Sequence, residues 1–277
     1  MNQLTFLIGV FISTISFSQS SIFNSAFKGN SFVQIGSSLH YMTPSTLHFT
    51  GNNFDFSLNH SVLSNKGSTT SQPLLRQALS VEFGHNIRRG VLLSLNWDQM
   101  GYGLTNQVLE VTGNITPGID NLSGLPATSN NTFVSMDTIG FTFNVGRSNR
   151  VTLQANLCQN LFRTAKRGFV INAVYGFGAG IVHSTSTTTF GSALQPNIKS
   201  LSGFSVAANA GLRFEFLRHF YVLTNLSGVM LSNQNLRLDV SDGSQSVKGT
   251  LGYGQATVFV GSVFSFKNRK SCDCPKF

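Results

Sequence analysis

Acidic side chains are scarce in this chain. Its 277 residues hold ten Asp and Glu against 19 Lys and Arg, and charged residues together make up 10%, under half of the roughly 25% usual in soluble domains. A soluble β-sandwich would need a more heavily charged exterior. Three cysteines, Cys158, Cys272 and Cys274, are too few for a disulfide-built scaffold. Beyond the first fifteen residues no uninterrupted apolar run approaches the roughly 20 residues of a spanning helix, and the mean hydropathy of +0.08 is low for a bundle of membrane helices. Nor is there a G-x-S-x-G elbow, a basic helix interleaved with aromatics, or a zinc-ligand spacing. The C-D-C at Cys272–Cys274 offers two ligands two residues apart without His partners nearby. No catalytic, cofactor-binding or metal-binding residues are therefore assigned, no cofactor is expected, and nucleic acid is not an expected partner.

What the chain does have is Gly, 27 residues, and Phe, 25, with abundant Ser, Thr and Asn. Phe169–Val182 shows how they are used. Phe169, Ile171, Ala173, Tyr175, Phe177, Ala179 and Ile181 share one parity, while Asn172, Gly176, Gly178 and Gly180 fall on the other. Successive side chains of a strand point to opposite faces, so this is a strand with one apolar face and one small, partly polar face. The pattern recurs. Leu75, Leu79, Val81 and Phe83 oppose Arg76, Ser80, Glu82 and Gly84. Val91, Leu93, Leu95 and Trp97 oppose Ser94, Asn96 and Asp98. Val206, Ala208, Ala210, Leu212 and Phe214 oppose Asn209, Arg213 and Glu215. Between Phe220 and Leu226 the parity is ambiguous, because Tyr221 and Leu223 compete with Phe220, Val222 and Leu226.

An apolar outside around a polar inside defines a membrane β-barrel. The expected fold is all-β: a closed, antiparallel, up-and-down transmembrane β-barrel. Eight spanning strands are read at Ser31–Tyr41, Leu74–Asn86, Gly90–Tyr102, Thr132–Val145, Gly168–His183, Leu201–Phe216, His219–Ser232 and Thr250–Phe266. Short connections alternate with long polar ones, which places the short turns on the periplasmic side and the long loops outside. On that topology Arg88, Arg89, Arg147, Arg163 and Arg218 lie inward of the membrane. Inward-facing Arg76, Glu82, Asp98, Arg213 and Glu215 form a candidate ionic cluster in the barrel interior, where buried charges must be paired.

Val151–Phe162 fits less simply. It alternates like a strand, yet Leu153, Leu157 and Leu161 also share a helical face. The preferred reading is a short periplasmic helix within 150–167, which keeps the strand count even and brings Cys158 to the side of the tail cysteines, where a disulfide could form. The alternative is a ten-stranded barrel in which Val108–Thr116 also spans. At the N-terminus, the apolar core Leu4–Ile15 followed by Ser16-Phe17-Ser18 reads as a cleaved signal peptide, residues 1–18. Residues 19–277 then form a single barrel domain with a short periplasmic tail at 267–277.

The stretch Gly261-Ser262-Val263-Phe264-Ser265-Phe266 resembles the C-terminal assembly signal of outer-membrane barrels, although Phe259 stands where that family has a large polar residue. The whole resembles the small OmpA, OmpX and PagP barrels. Ser45–Leu58 and Asn96–Gly113 further resemble an uncharacterised group of Bacteroidota-type envelope barrels. These resemblances imply the outer membrane, its lipid and the barrel-assembly machinery as partners, and an unknown surface ligand or partner protein. The expected role is non-enzymatic, structural or interactive through the external loops. A narrow channel for small solutes is the first alternative. The second is a lipid-modifying enzyme with a Ser/His site drawn from His40, His48, His60 or His183, with Asp55 nearby.

Overall fold

The computed structural model describes residues 30–51, 54–61, 63–64, 78–88, 90–104, 108–115, 128–135, 141–164, 169–190, 193–216, 220–237 and 246–265. The expected signal segment 1–18 and periplasmic tail 267–277, together with Arg76, Arg89 and Arg218, lie outside them. The described residues form strands and no helix: β1 (Asn30–Met42), β2 (Ser45–Thr50), β3 (Phe54–Ser61), β4 (Leu63–Ser64), β5 (Ala78–Arg88), β6 (Val91–Leu104), β7 (Val108–Ile115), β8 (Thr128–Ser135), β9 (Phe141–Arg163), β10 (Phe169–Phe190), β11 (Ala193–Phe216), β12 (Phe220–Arg237) and β13 (Ser246–Ser265).

Eight of these close into a ring in the order β1-β5-β6-β9-β10-β11-β12-β13, with β13 returning to β1. Every neighbouring pair is antiparallel, and the closing ladder runs from Asn30↔Ser265 to Met42↔Tyr253. The strands are joined at one end, the turn end, by the short links β5–β6, β9–β10 and β11–β12. Gly90 supplies the positive φ of 75° needed in the first of these. At the opposite, loop end, β2, β3, β7 and β8 leave the wall and extend the sheet from β13.

The fourth wall strand differs from the sequence expectation. Residues 150–163 are strand, not helix: β9 pairs with β6 from Val91↔Leu157 to Gly103↔Asn144 and with β10 along its length. The misleading signal was Leu153, Leu157 and Leu161. A spacing of four is even, so these leucines share a face in a strand as well as in a helix. The decisive pattern is the other parity, where Thr152, Gln154 and Asn156 are buried inside. The strand count remains eight because Thr128–Ser135 stays out of the wall and pairs with β7. The ten-strand alternative fails for the same reason, since Val108–Ile115 pairs with β3 and β8.

Two placements follow from the corrected register. Arg147 stands at the loop end, opposite Thr185 of β10, rather than with Arg88 and Arg163 at the turn end. Cys158 sits in the wall and faces the interior, buried, not in a periplasmic excursion.

Outside the ring lies an apolar belt. Ile35, Phe83, Leu95, Leu153, Phe177, Val206, Leu226 and Val260 are all exposed there. On β10 the outward apolar positions run from Phe169 to Ile181, about 40 Å of strand at 3.4 Å per residue, or about 30 Å of height at the tilt usual for such barrels. The ambiguous strand is settled by burial: Tyr221 and Leu223 face in, Phe220 and Leu226 out.

Candidate functional site

An eight-stranded barrel has an interior just wide enough for side chains to fill, and this one is filled in three layers. Nearest the turn end, Arg213 pairs with Glu215 at 3.0 Å and lies over the Tyr221 ring, 3.7 Å from its centroid. Asn172 donates to Glu215 at 2.8 Å and accepts from Asn160 at 3.0 Å. The Tyr221 hydroxyl donates to Gln34 at 2.8 Å, and the Gln34 amide donates to Glu82 at 2.5 Å.

The middle layer is centred on Asp98 and Arg150, an ion pair with both side chains 2% exposed. Arg150 reaches Asp98 through both Nε and Nη2. Ser80 donates to Asp98 and is linked to Ser38 at 2.9 Å. Gln255 donates to Ser38 at 3.0 Å and accepts from Arg150 at 3.2 Å. The two layers thus tie strands from all around the ring. A cavity of about 20 Å³ remains among Gln34, Glu82, Asn156 and Arg213, room for about one water molecule.

Of the five residues expected in an interior cluster, Glu82, Asp98, Arg213 and Glu215 are buried inside the ring; Arg76 lies outside the described residues. They divide between two layers rather than forming one cluster. Sequence reasoning missed Arg150, because the helix expected within 150–167 kept that segment out of the wall. Its signal was available: Arg150 shares the inward parity of Thr152, Gln154 and Asn156.

The third layer, at the loop end, is apolar. The hairpin β2–β3 turns one face inward, so that Leu47, Phe49, Phe56 and Leu58 are buried with Met100, Tyr102, Phe143 and Leu231. Phe49 stacks on Phe56 with ring centroids 5.1 Å apart and meets Phe143 edge-on at 5.7 Å. This core stops the mouth of the barrel.

Three cross-strand pairs show how large rings fit into the narrow lumen. Gly84 faces Phe32, Gly36 faces Phe259, and Gly261 faces Tyr221. A Cβ on Gly84, Gly36 or Gly261 would come within 2.3, 2.5 and 2.3 Å of the ring it faces. Each glycine makes room for a ring laid along the wall.

Of the histidines, His40 is buried in the lumen against Tyr253, with centroids 5.3 Å apart. His183 is exposed on the outside of β10, and the side chain of His60 lies outside the described residues. His48, on the outer face of the β2–β3 hairpin, meets Ser57 through Nδ1 at 2.8 Å and Asp55 through Nε2 at 2.9 Å. This group has the Ser–His–Asp order of a hydrolase relay, with the two ring nitrogens exchanged, since a triad sets serine on Nε2 and the carboxylate on Nδ1. It lies open to solvent, with His48 44% and Asp55 64% exposed.

A closed antiparallel eight-stranded barrel, apolar outside and filled with polar layers and an apolar core at the loop end, is the class of protein that these features define. No known family profile and no curated protein matches the chain. Solved structures similar to it include Neisserial surface protein A, with 8% identity over 84% of this chain and 97% of that one and a TM-score of 0.43. The outer membrane protein OprG from Pseudomonas aeruginosa has 12% identity over 86% and 97%, with a TM-score of 0.39. The attachment invasion locus protein Ail of Yersinia pestis, solved with the heparin analogue sucrose octasulfate, has 12% identity over 86% and 99%, with a TM-score of 0.35.

Proposed function

We propose that this chain is an outer-membrane β-barrel protein, exported by its N-terminal signal, with a non-enzymatic structural or surface-interaction role carried by the loop end. The observation that supports this reading most is the filled lumen. Among the described residues two hydrogen-bonded ionic layers and an apolar core at the loop end pack the interior. The cavity beside Glu82 and Arg213 has room for about one water molecule, while the outer belt has the height of a bilayer's hydrocarbon core. Such a molecule holds its place in lipid and presents a surface, and its described interior is packed with side chains rather than open to solutes. Planar-bilayer recording of the purified protein tests this. No steady unitary currents are expected, and reproducible ones would replace the plug by the narrow channel.

The enzyme reading has one specific observation in its favour, the Ser57–His48–Asp55 relay. A relay works best where water is excluded and preorganised donors await the developing oxyanion, and these side chains stand in solvent. A fluorophosphonate probe is expected to leave Ser57 unmodified; labelling lost in Ser57→Ala would restore the hydrolase alternative.

A further inference from the structure

On the outer faces of β9 and β10 the apolar belt ends at one level, and on β11 it runs one row further, to the exposed Leu201. Its last complete row is Val151–Ile181–Phe204. The next row outward is Asn149–His183–Leu201, and the one after that is Arg147–Thr185–Lys199. Arg147, His183 and Lys199 are all exposed, and none has an acidic partner among the described residues. The described acids lie elsewhere: Glu82, Asp98 and Glu215 inside the ring, and Asp55 and Glu110 on β3 and β7.

The spacing suits one anion. Arg147 and Lys199 flank Thr185 on adjacent strands, so their Cα atoms are about 10 Å apart, and both side chains are long enough to lean toward a common point. After strand tilt, His183 stands about 5 Å above the belt and the Thr185 row about 10 Å above it. A bilayer's headgroup region extends about 5–8 Å beyond the hydrocarbon. Long basic side chains reach back to that level while their stems cover apolar surface.

We infer that Arg147, Lys199 and His183 hold the phosphate of a phosphorylated glycolipid in the surrounding leaflet, with its acyl chains against Ile181, Phe177 and Phe204. Phe177 and Phe204 are 71% and 60% exposed, open to such chains. The inference rests on the membrane reading above and names a partner for it.

Native mass spectrometry of the full-length protein in nanodiscs tests it, with bisphosphorylated lipid A and the same lipid enzymatically dephosphorylated as probes. Each cation near an anionic membrane surface is worth on the order of five-fold in binding, so Arg147→Gln with Lys199→Gln should weaken retention of the phosphorylated lipid about 25-fold. Arg147→Lys with Lys199→Arg should keep it, and Arg88→Gln with Arg163→Gln, at the turn end, should leave it within about two-fold. Equal retention by the double Gln variant, or of the dephosphorylated lipid by the wild type, overturns the site. So does full displacement by low-millimolar inorganic phosphate, which would make it a small-anion site. Failure of the site leaves a protein still embedded in the nanodisc, whereas failure of the membrane reading leaves one that holds no lipid at all.

Discussion

Asp98 and Arg150 illustrate what a charge does at a buried position. Neither could remain inside the lumen alone, because the desolvation of an unpaired ion exceeds anything its neighbours return. Asp98→Ala would leave the Arg150 guanidinium uncompensated, and removal of one member of a buried pair typically costs about 3–5 kcal/mol. Denaturant unfolding of the refolded protein should show that loss, and Asp98→Ala with Arg150→Met should recover a substantial part of it. Parity in the sequence was enough to place Asp98, Glu82, Arg213 and Glu215 inside. It could not pair Asp98 with Arg150, because that depends on the β6–β9 register, which long-range pairing fixes. Phe259, a departure from the expected assembly signal, also becomes intelligible at this scale. Its ring needs the space left by Gly36, a residue far away in sequence and opposite it in the ladder.

Among the elements, the wall strands were legible because a buried inside and an apolar outside impose strict alternation. The exceptions have physical causes. β9 was misread because leucines four apart satisfy both periods. The inner face of β2–β3 was not foreseen as a stopper, because alternation shows that a hairpin has an apolar face but not what that face covers. The stopper makes a prediction of its own. Phe49→Ala removes a ring that contacts both Phe56 and Phe143, and such truncations typically cost about 3–5 kcal/mol where the site cannot collapse. The loss should be local. Hydrogen exchange should quicken in β2, β3 and the Phe143 end of β9, while β10, β11 and β12 keep their protection; uniform loss would show that the stopper and the wall form one cooperative unit.

For the molecule as a whole, the two ends differ in what they carry: short turns with Arg88 and Arg163 at one, an extended sheet at the other. If the loop end faces outward, a cysteine at Asp55, with Cys158, Cys272 and Cys274 replaced by Ser, should react with an impermeant maleimide on intact cells. A cysteine at Arg88 should react only after the envelope is opened. The reverse pattern would invert the orientation. The ring also has a history built into its order. Seven of its eight seams join wall strands that follow one another along the chain. The eighth joins β1 to β13 across nearly the whole described sequence. Loop-closure entropy makes so distant a contact slow to form, so the barrel exists for a time as an open, curling sheet with two raw edges. During that interval β1 and β13 are each competent to pair with another chain, and the speed of this last closure sets how long those edges stay open.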